Sequence, residues 1–292
     1  MKPSHLWRRF RPQRSHPAVH HDLVSQVRLR IGEVWHPDRH HDHNALFNQL
    51  HEAAAMQSRR AQSSHSAVDE FALLLLRAPA AVAAQRQMDR HEHGYRHREA
   101  RLFELIDFND TFVSTVLALT PEQRKDFLAV CRQELDRFCS ELGVPTFTDE
   151  QYMAIVRGLS REIAVYIGAH QQGFDAQMTS RVQDSMGVDM TVTDPRTHRT
   201  VGIDCKTPSA YRHRLIELVE QGRLSDAAGA HADELGFIRL HNGHGSEAVD
   251  VTMVRIDEQE LGEITAFAFA DSTALGHLLA RVLTDTLSRP KT

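Results

Sequence analysis

The stretch Thr200-Val201-Gly202-Ile203-Asp204-Cys205-Lys206-Thr207 decides how this chain is read. Its β-branched and apolar residues fit an extended strand. Successive side chains of a strand point to opposite faces, so Val201, Ile203 and Cys205 share one face while Asp204 and Lys206 share the other. A carboxylate and an ammonium thus stand side by side behind an apolar face. The preceding segment, Val188-Asp189-Met190-Thr191-Val192-Thr193, has the same construction. Val188, Met190 and Val192 are expected on its apolar face, with Asp189 at the head of its polar one. Between the two lies Asp194-Pro195-Arg196-Thr197-His198-Arg199, turn-like and short enough for a hairpin. Such a hairpin brings Asp189 near Asp204.

Two carboxylates held this way suit a hard divalent cation such as Mg²⁺, which takes oxygen ligands and keeps several waters. A bound ion of that kind polarises a phosphate oxygen and acidifies a coordinated water. The neighbouring Lys206 would orient or deprotonate that water, or balance charge in the transition state. The competing account is a surface ion pair between Asp204 and Lys206, worth ~1 kcal/mol or less. An acid-x-Lys string alone is expected by chance about half a time at this composition. The placement of the lysine is more informative. The chain has four lysines (Lys2, Lys125, Lys206, Lys291) against 30 arginines, yet one falls inside a β-rich segment. Lysine is the compact cation whose pKa shifts readily on burial.

A third acid is offered by a helix expected over Asp149–Gln171, where Tyr152, Ile155, Leu159, Ile163 and Tyr166 form one stripe. Glu162 falls on the edge of that stripe. It either reaches solvent or faces the strands as a ligand or a ligand's support. Weaker candidates are Gln183 and Asp184 before the Gly187 turn, Thr207, Ser209, Tyr211, Arg212 and His213 after the lysine, and the loop-like His241-Asn242-Gly243-His244-Gly245.

Outward from the hairpin, β-rich runs are expected at Gln177–Gln183, Gly236–Leu240 and Val249–Ile256, one helix over Ala210–Glu234 and a last over Ser272–Ser288. Residues from about Asp22 to Leu142 are poor in glycine and rich in Leu, Ala, Gln, Glu and Arg, and so read as helical. Thr120-Pro121-Glu122-Gln123 supplies an N-cap, a first-turn proline and a capping-box glutamine, for a helix ending near Gly143. Thr148-Asp149-Glu150-Gln151 repeats that pattern and opens the helix that Gly173 closes. The fold class is α/β with mixed α+β character. A basic arm (1–20) precedes a helical domain (21–147), and an α/β domain (148–292) follows.

With 41% apolar and 25% charged residues, the chain reads as globular. Three cysteines without CxxC spacing argue against a disulfide framework or a cysteine zinc site and fit a reducing compartment. The basic first residues have no apolar run of the secretory kind. The greasiest stretch, Phe71–Ala84, contains Arg77 and Pro79 and falls short of the ~20 residues of a membrane span. A cytoplasmic protein with no membrane contact is expected. Acidic residues outnumber basic ones 18 to 12 from Gln171 onward and stand at 21 to 22 before it, giving a net charge of −5. That balance does not predict a strong nonspecific polyanion binder. Any attraction for nucleic acid has to come from the site itself or from the arm, where Lys2, Arg8, Arg9, Arg11 and Arg14 surround Trp7 and Phe10. The first hundred residues hold 13 of the 20 histidines, including His40-His41-Asp42-His43 and His91-Glu92-His93, without a defined ligand spacing.

Glu162 on a helix, Gly187-Val188-Asp189 opening a strand, and Gly202-Ile203-Asp204-Cys205-Lys206 on the next resemble the PD-(D/E)XK nuclease superfamily. The resemblance covers about Thr148 to Leu240, and the αβββαβ order resembles the restriction-endonuclease-like core. Val188 stands where the family name has proline. The resemblance implies that Asp189 and Asp204 hold Mg²⁺ (with Mn²⁺ as a substitute) and that the Cys205 carbonyl is a further metal ligand. Lys206 would position or activate water, and Glu162 would be the variable helix acid, catalytic or metal-binding. The expected activity is hydrolysis of phosphodiester bonds in DNA, or less readily RNA, with the helical half selecting substrate or binding a protein partner, and a homodimer admitted. The alternatives are a catalytically inactive nuclease-like module that binds nucleic acid or protein, and a helical adaptor whose α/β half carries only structural ion pairs.

Overall fold

The computed structural model describes residues 17–36, 43–90, 99–179, 183, 186–242 and 249–284. Outside them lie most of the basic arm, His40-His41-Asp42, His91-Glu92-His93, Asp184 and Gly243-His244-Gly245. The chain is mixed α/β and divides into two compact units, Met1–Tyr152 and Met153–Thr292. Among the described residues, no helix is long and apolar enough to cross a membrane.

The first unit is helical: α1 (Pro17–Val34), α2 (His43–Ser64), α3 (Ala67–Asp89), α4 (Glu99–Ala118), α5 (Pro121–Arg124), α6 (Phe127–Glu141) and the start of α7 (Asp149–Gln171). The apolar run from Phe71 forms the buried heart of α3, and Pro79 lies within that helix. Phe127 meets Phe71 edge-on at 5.3 Å and Phe112 at 5.7 Å, so aromatic burial ties α3, α4 and α6 together. The single helix expected from Thr120 to Gly143 is two. Arg124 turns its guanidinium onto the last carbonyls of α4, those of Val116 and Leu117, and the chain restarts at Asp126. Burial raises the Cys131 thiol to about 12 and the Cys139 thiol to about 11, leaving both as inert, core-filling groups.

Both expected capping boxes form. At the head of α7, the Thr148 hydroxyl accepts from the Gln151 amide at 3.2 Å, and the Gln151 side chain accepts from the Thr148 amide at 2.8 Å. Thr148→Ala should lower stability by about 1 kcal/mol, read as a shift in the urea midpoint.

The second unit contains the rest of α7, then β1 (Asp175–Met178), β2 (Met190–Asp194), β3 (Arg199–Lys206), α8 (Pro208–Glu220), α9 (Asp226–Leu235), β4 (Phe237–Asn242), β5 (Val249–Arg255), α10 (Glu258–Leu261), β6 (Ile264–Thr265), β7 (Ala268–Phe269) and α11 (Thr273–Thr284). The main sheet runs β1-β2-β3-β5-β4. It is antiparallel except for the β3–β5 pair, which is parallel, with Asp204 beside Met253 and Lys206 beside Arg255. One face carries Met190, Val192, Val201, Ile203 and Val254 against Ala164, Val165 and Ala169 of α7 and the leucines of α11. The other face packs Ile238, Leu240 and Met253 under Tyr211, Leu215 and Leu218 of α8.

The helix expected over Ala210–Glu234 also splits. The positive φ of Gly222 (69°) ends the first piece, and the Ser225 side chain caps the second by accepting from the Ala228 amide. The small β6–β7 hairpin was not foreseen, because its two turn residues, Ala266 and Phe267, have positive φ without glycine or asparagine to signal it.

Candidate metal-dependent active site

The hairpin expected from the sequence forms, with Met190 paired to Ile203 and Val192 to Val201. Its turn is closed by the Asp194 carboxylate, which accepts from the Arg196 amide and the Thr197 hydroxyl, both at 2.9 Å. Pairing Met190 with Ile203 would set Asp189 opposite Asp204. The ladder slips there. The Asp189 amide donates instead to the Ile203 carbonyl at 2.8 Å. The next inward amide on β3, that of Cys205, donates to Oδ2 of the Asp189 side chain at 2.6 Å. A carboxylate oxygen thus serves where a backbone carbonyl would complete a regular ladder.

The slip corrects one expectation. Val188 does not share the apolar face of Met190 and Val192. It is buried over Gly202, where an added Cβ would come within 3.0 Å of Val188 Cγ1 and 3.2 Å of the Asp250 carbonyl oxygen. Alternation fails because the chain leaves the ladder at Asp189, and the missing Cβ of Gly202 gives Val188 room on β3.

Asp204 and Lys206 project from the polar side of β3 as expected. Asp204 is buried at 8% exposure, and its Oδ1 lies 2.5 Å from Lys206 Nζ. The ammonium is the charged partner of this buried oxygen. Burial raises the Asp204 pKa, against the opposing pull of Lys206 and of Arg214 on α8. Burial works to lower the Lys206 pKa, but the Asp204 and Asp189 charges outweigh it and raise the value, so the ammonium stays protonated.

Asp189 is held well above the usual carboxylate range, first by burial, then by the negative charges of Glu162 and Asp204, against the Cys205 amide and Lys206. Surface exposure alone would place Asp189 only as half-buried. The protein packed around its carboxylate is the better guide, because Glu162 approaches from α7 and Asp204 from β3. Burial also raises the Cys205 thiol, with Asp189, Glu162 and Asp204 adding to the effect. A neutral thiol is a poor metal ligand, which leaves the Cys205 carbonyl as its donor.

Asp189, Asp204, Lys206 and Glu162 therefore share one electrostatic neighbourhood. Among the described residues, no three His, Cys, Asp or Glu side chains gather closely enough to ligate one ion by themselves. The weaker candidates separate. Tyr211 is fully buried and donates to the Ala232 carbonyl at 2.9 Å, so it belongs to the core. Thr207 caps α8 by accepting from the Ala210 amide at 3.1 Å. Arg212 and His213 are exposed beside Asp233 and Glu217, and the Gln183 carbonyl closes the turn to Met186 and Val188. Sequence reasoning missed Thr179, Gly202 and Arg214. Arg214 bonds Glu217 at 2.8 Å while its charge reaches Asp204. Its position one helical turn beyond Tyr211 was the available signal.

No protein-family model matches the chain, and neither the curated proteins nor the solved structures compared with it contain a match.

Proposed function

We propose that the second unit is a Mg²⁺-dependent phosphodiesterase of the restriction-endonuclease-like, PD-(D/E)XK kind, acting on nucleic acid and foremost on DNA. The observation that carries this reading is that Asp204 and Asp189 both act on one protonated lysine at the slipped end of a strand pair, while the charge of Glu162 acts on Asp189. The donors fit such an ion. They are oxygens, and the charges of Glu162 and Asp204 raise the pKa of Asp189, so a hard cation would relieve their repulsion. When bound, the ion supplies Lewis acidity toward a phosphate oxygen and acidifies a water. Asp189 and Asp204 would provide its carboxylate ligands. The Cys205 carbonyl leaves β3 on the same edge as its amide, toward Asp189. Glu162 acts through its charge on Asp189. Because Lys206 is protonated, it donates to the attacking water or to the equatorial phosphate oxygens and does not begin as a base. The order α-β-β-β-α-α-β, from α7 to β4, is compatible with the αβββαβ core that the resemblance implies, with its second helix split in two.

The Asp204–Lys206 ion pair is also what a binding-only nuclease-like module would retain, and the same assay separates the two readings. Plasmid, linear duplex and single-stranded DNA and RNA, incubated with the full chain and Mg²⁺ or Mn²⁺, should be cut in a reaction that chelator stops. Salt-sensitive binding with every nucleic acid left intact under both metals would replace the hydrolase reading with the binding one.

A further inference from the structure

Asp189 sits one residue ahead of β2, where its pairing to β3 slips while the β1 register still sets it opposite Thr179. On one side its amide bonds the Ile203 carbonyl at 2.8 Å. On the other side stands Thr179, one step past the end of β1. The Thr179 amide donates to the Asp189 carbonyl at 3.3 Å, and its hydroxyl reaches the same carbonyl at 3.0 Å. That hydroxyl also bonds the Val188 carbonyl. One O–H is thus shared between two successive carbonyls at the point where the chain leaves the sheet. A β-branched residue has few χ1 choices, which fixes where the hydroxyl stands. Gly202 supports the arrangement from the far side by leaving room for Val188.

We infer that Thr179 is a positioning residue for Asp189: its hydroxyl locks the Val188–Asp189 backbone so that, with one carboxylate oxygen on the Cys205 amide, the other is presented to the cation shared with Asp204. This rests on the metal-site reading proposed above. Groups that orient a metal ligand typically change affinity by about 10–100-fold when removed. Valine in place of Thr179 keeps the shape and β-branching and removes only the O–H.

The test is calorimetric titration of the full chain with Mn²⁺, with urea unfolding measured in parallel. Thr179→Val should weaken Mn²⁺ binding by about 10-fold or more, with a urea midpoint close to that of the parent. Thr179→Ser, which restores the hydroxyl, should recover affinity to within about threefold. If the valine variant fails to fold, Thr179→Ala against Thr179→Ser makes the same comparison. Unchanged Mn²⁺ affinity in the hydroxyl-free variant overturns the inference while leaving the metal site standing, as does equal loss in the serine variant. If the parent protein binds Mn²⁺ no better than Asp204→Asn, the metal-site reading itself fails and takes this inference with it.

Discussion

Lys206→Met should reduce metal-dependent cleavage by about 10²–10³-fold, the loss usual when one donor to developing transition-state charge is removed, while the protein remains folded. Methionine retains most of the stem and its packing but not the charge. Because the Asp204 and Asp189 charges raise the Lys206 pKa, the resting site contains an ammonium, and its removal deletes a cation, not a base. Lys206→Arg should rescue poorly, because a planar fork cannot place its charge where a point ammonium stood. Asp204→Asn should cause a loss of similar size by another route. It keeps the side chain's shape but surrenders a full negative charge to the ion, so raising Mn²⁺ should restore part of the activity of this variant and none of Lys206→Met. Initial rates across a metal titration check this, and a Lys206→Met enzyme as fast as its parent would end the proposal.

The second large effect is on stability, and its sign is opposite to that of most substitutions of buried residues. Asp189 has its pKa raised from the ordinary 3.8. Between that value and the raised folded one, the native state binds more protons than the unfolded chain. Stability contributed by this group is therefore greatest in acid and falls as pH climbs through that window. Above that window the ionised carboxylate is a net burden on the metal-free protein. Asp189→Asn removes the charge and keeps an oxygen for the Cys205 amide, so it should stabilise the metal-free protein by on the order of 1 kcal/mol, about 2–4 °C for a unit of this size. The gain should shrink as pH is lowered toward the ordinary aspartate value. Mn²⁺ should reverse the ranking, because ligand at a hundred times its Kd adds about 2.7 kcal/mol to a protein that binds it and nothing to one that does not. Melting curves with and without Mn²⁺ at two pH values decide it. A less stable Asp189→Asn protein in chelator would show that the acids do not crowd one another.

How much of this was legible in the sequence depends on how local each determinant is. The capping boxes at Thr120 and Thr148 follow from four-residue patterns, and both form. The β2–β3 hairpin follows from two alternating runs around a turn, and it forms with Met190 opposite Ile203. Glu162 was placed only on the edge of a helical stripe; its influence on Asp189 depends on how α7 lies over the sheet, which no period along one helix specifies. Val188 was misplaced because strict alternation was assumed up to Asp189. The slip that breaks it brings Val188 over Gly202, distant in sequence, and the Val188 and Asp189 carbonyls onto the Thr179 hydroxyl across the sheet. Arg124 likewise breaks a helix that propensity alone would continue, because it finds carbonyls at the end of another one. Short-range chemistry was readable. Exceptions imposed by neighbours were not.

The hydrogen bond from the Cys205 amide to Asp189 Oδ2 has a bearing on which ion this site would prefer. With Oδ2 already accepting from the Cys205 amide, Asp189 would offer a cation its other oxygen first. Calcium gathers six to eight oxygens and favours carboxylates that grip from both sides, whereas magnesium is content with a few single-oxygen contacts and completes its octahedron with water. In the proposed site, a strand-ladder contact would thus tilt the choice of ion toward the smaller metal.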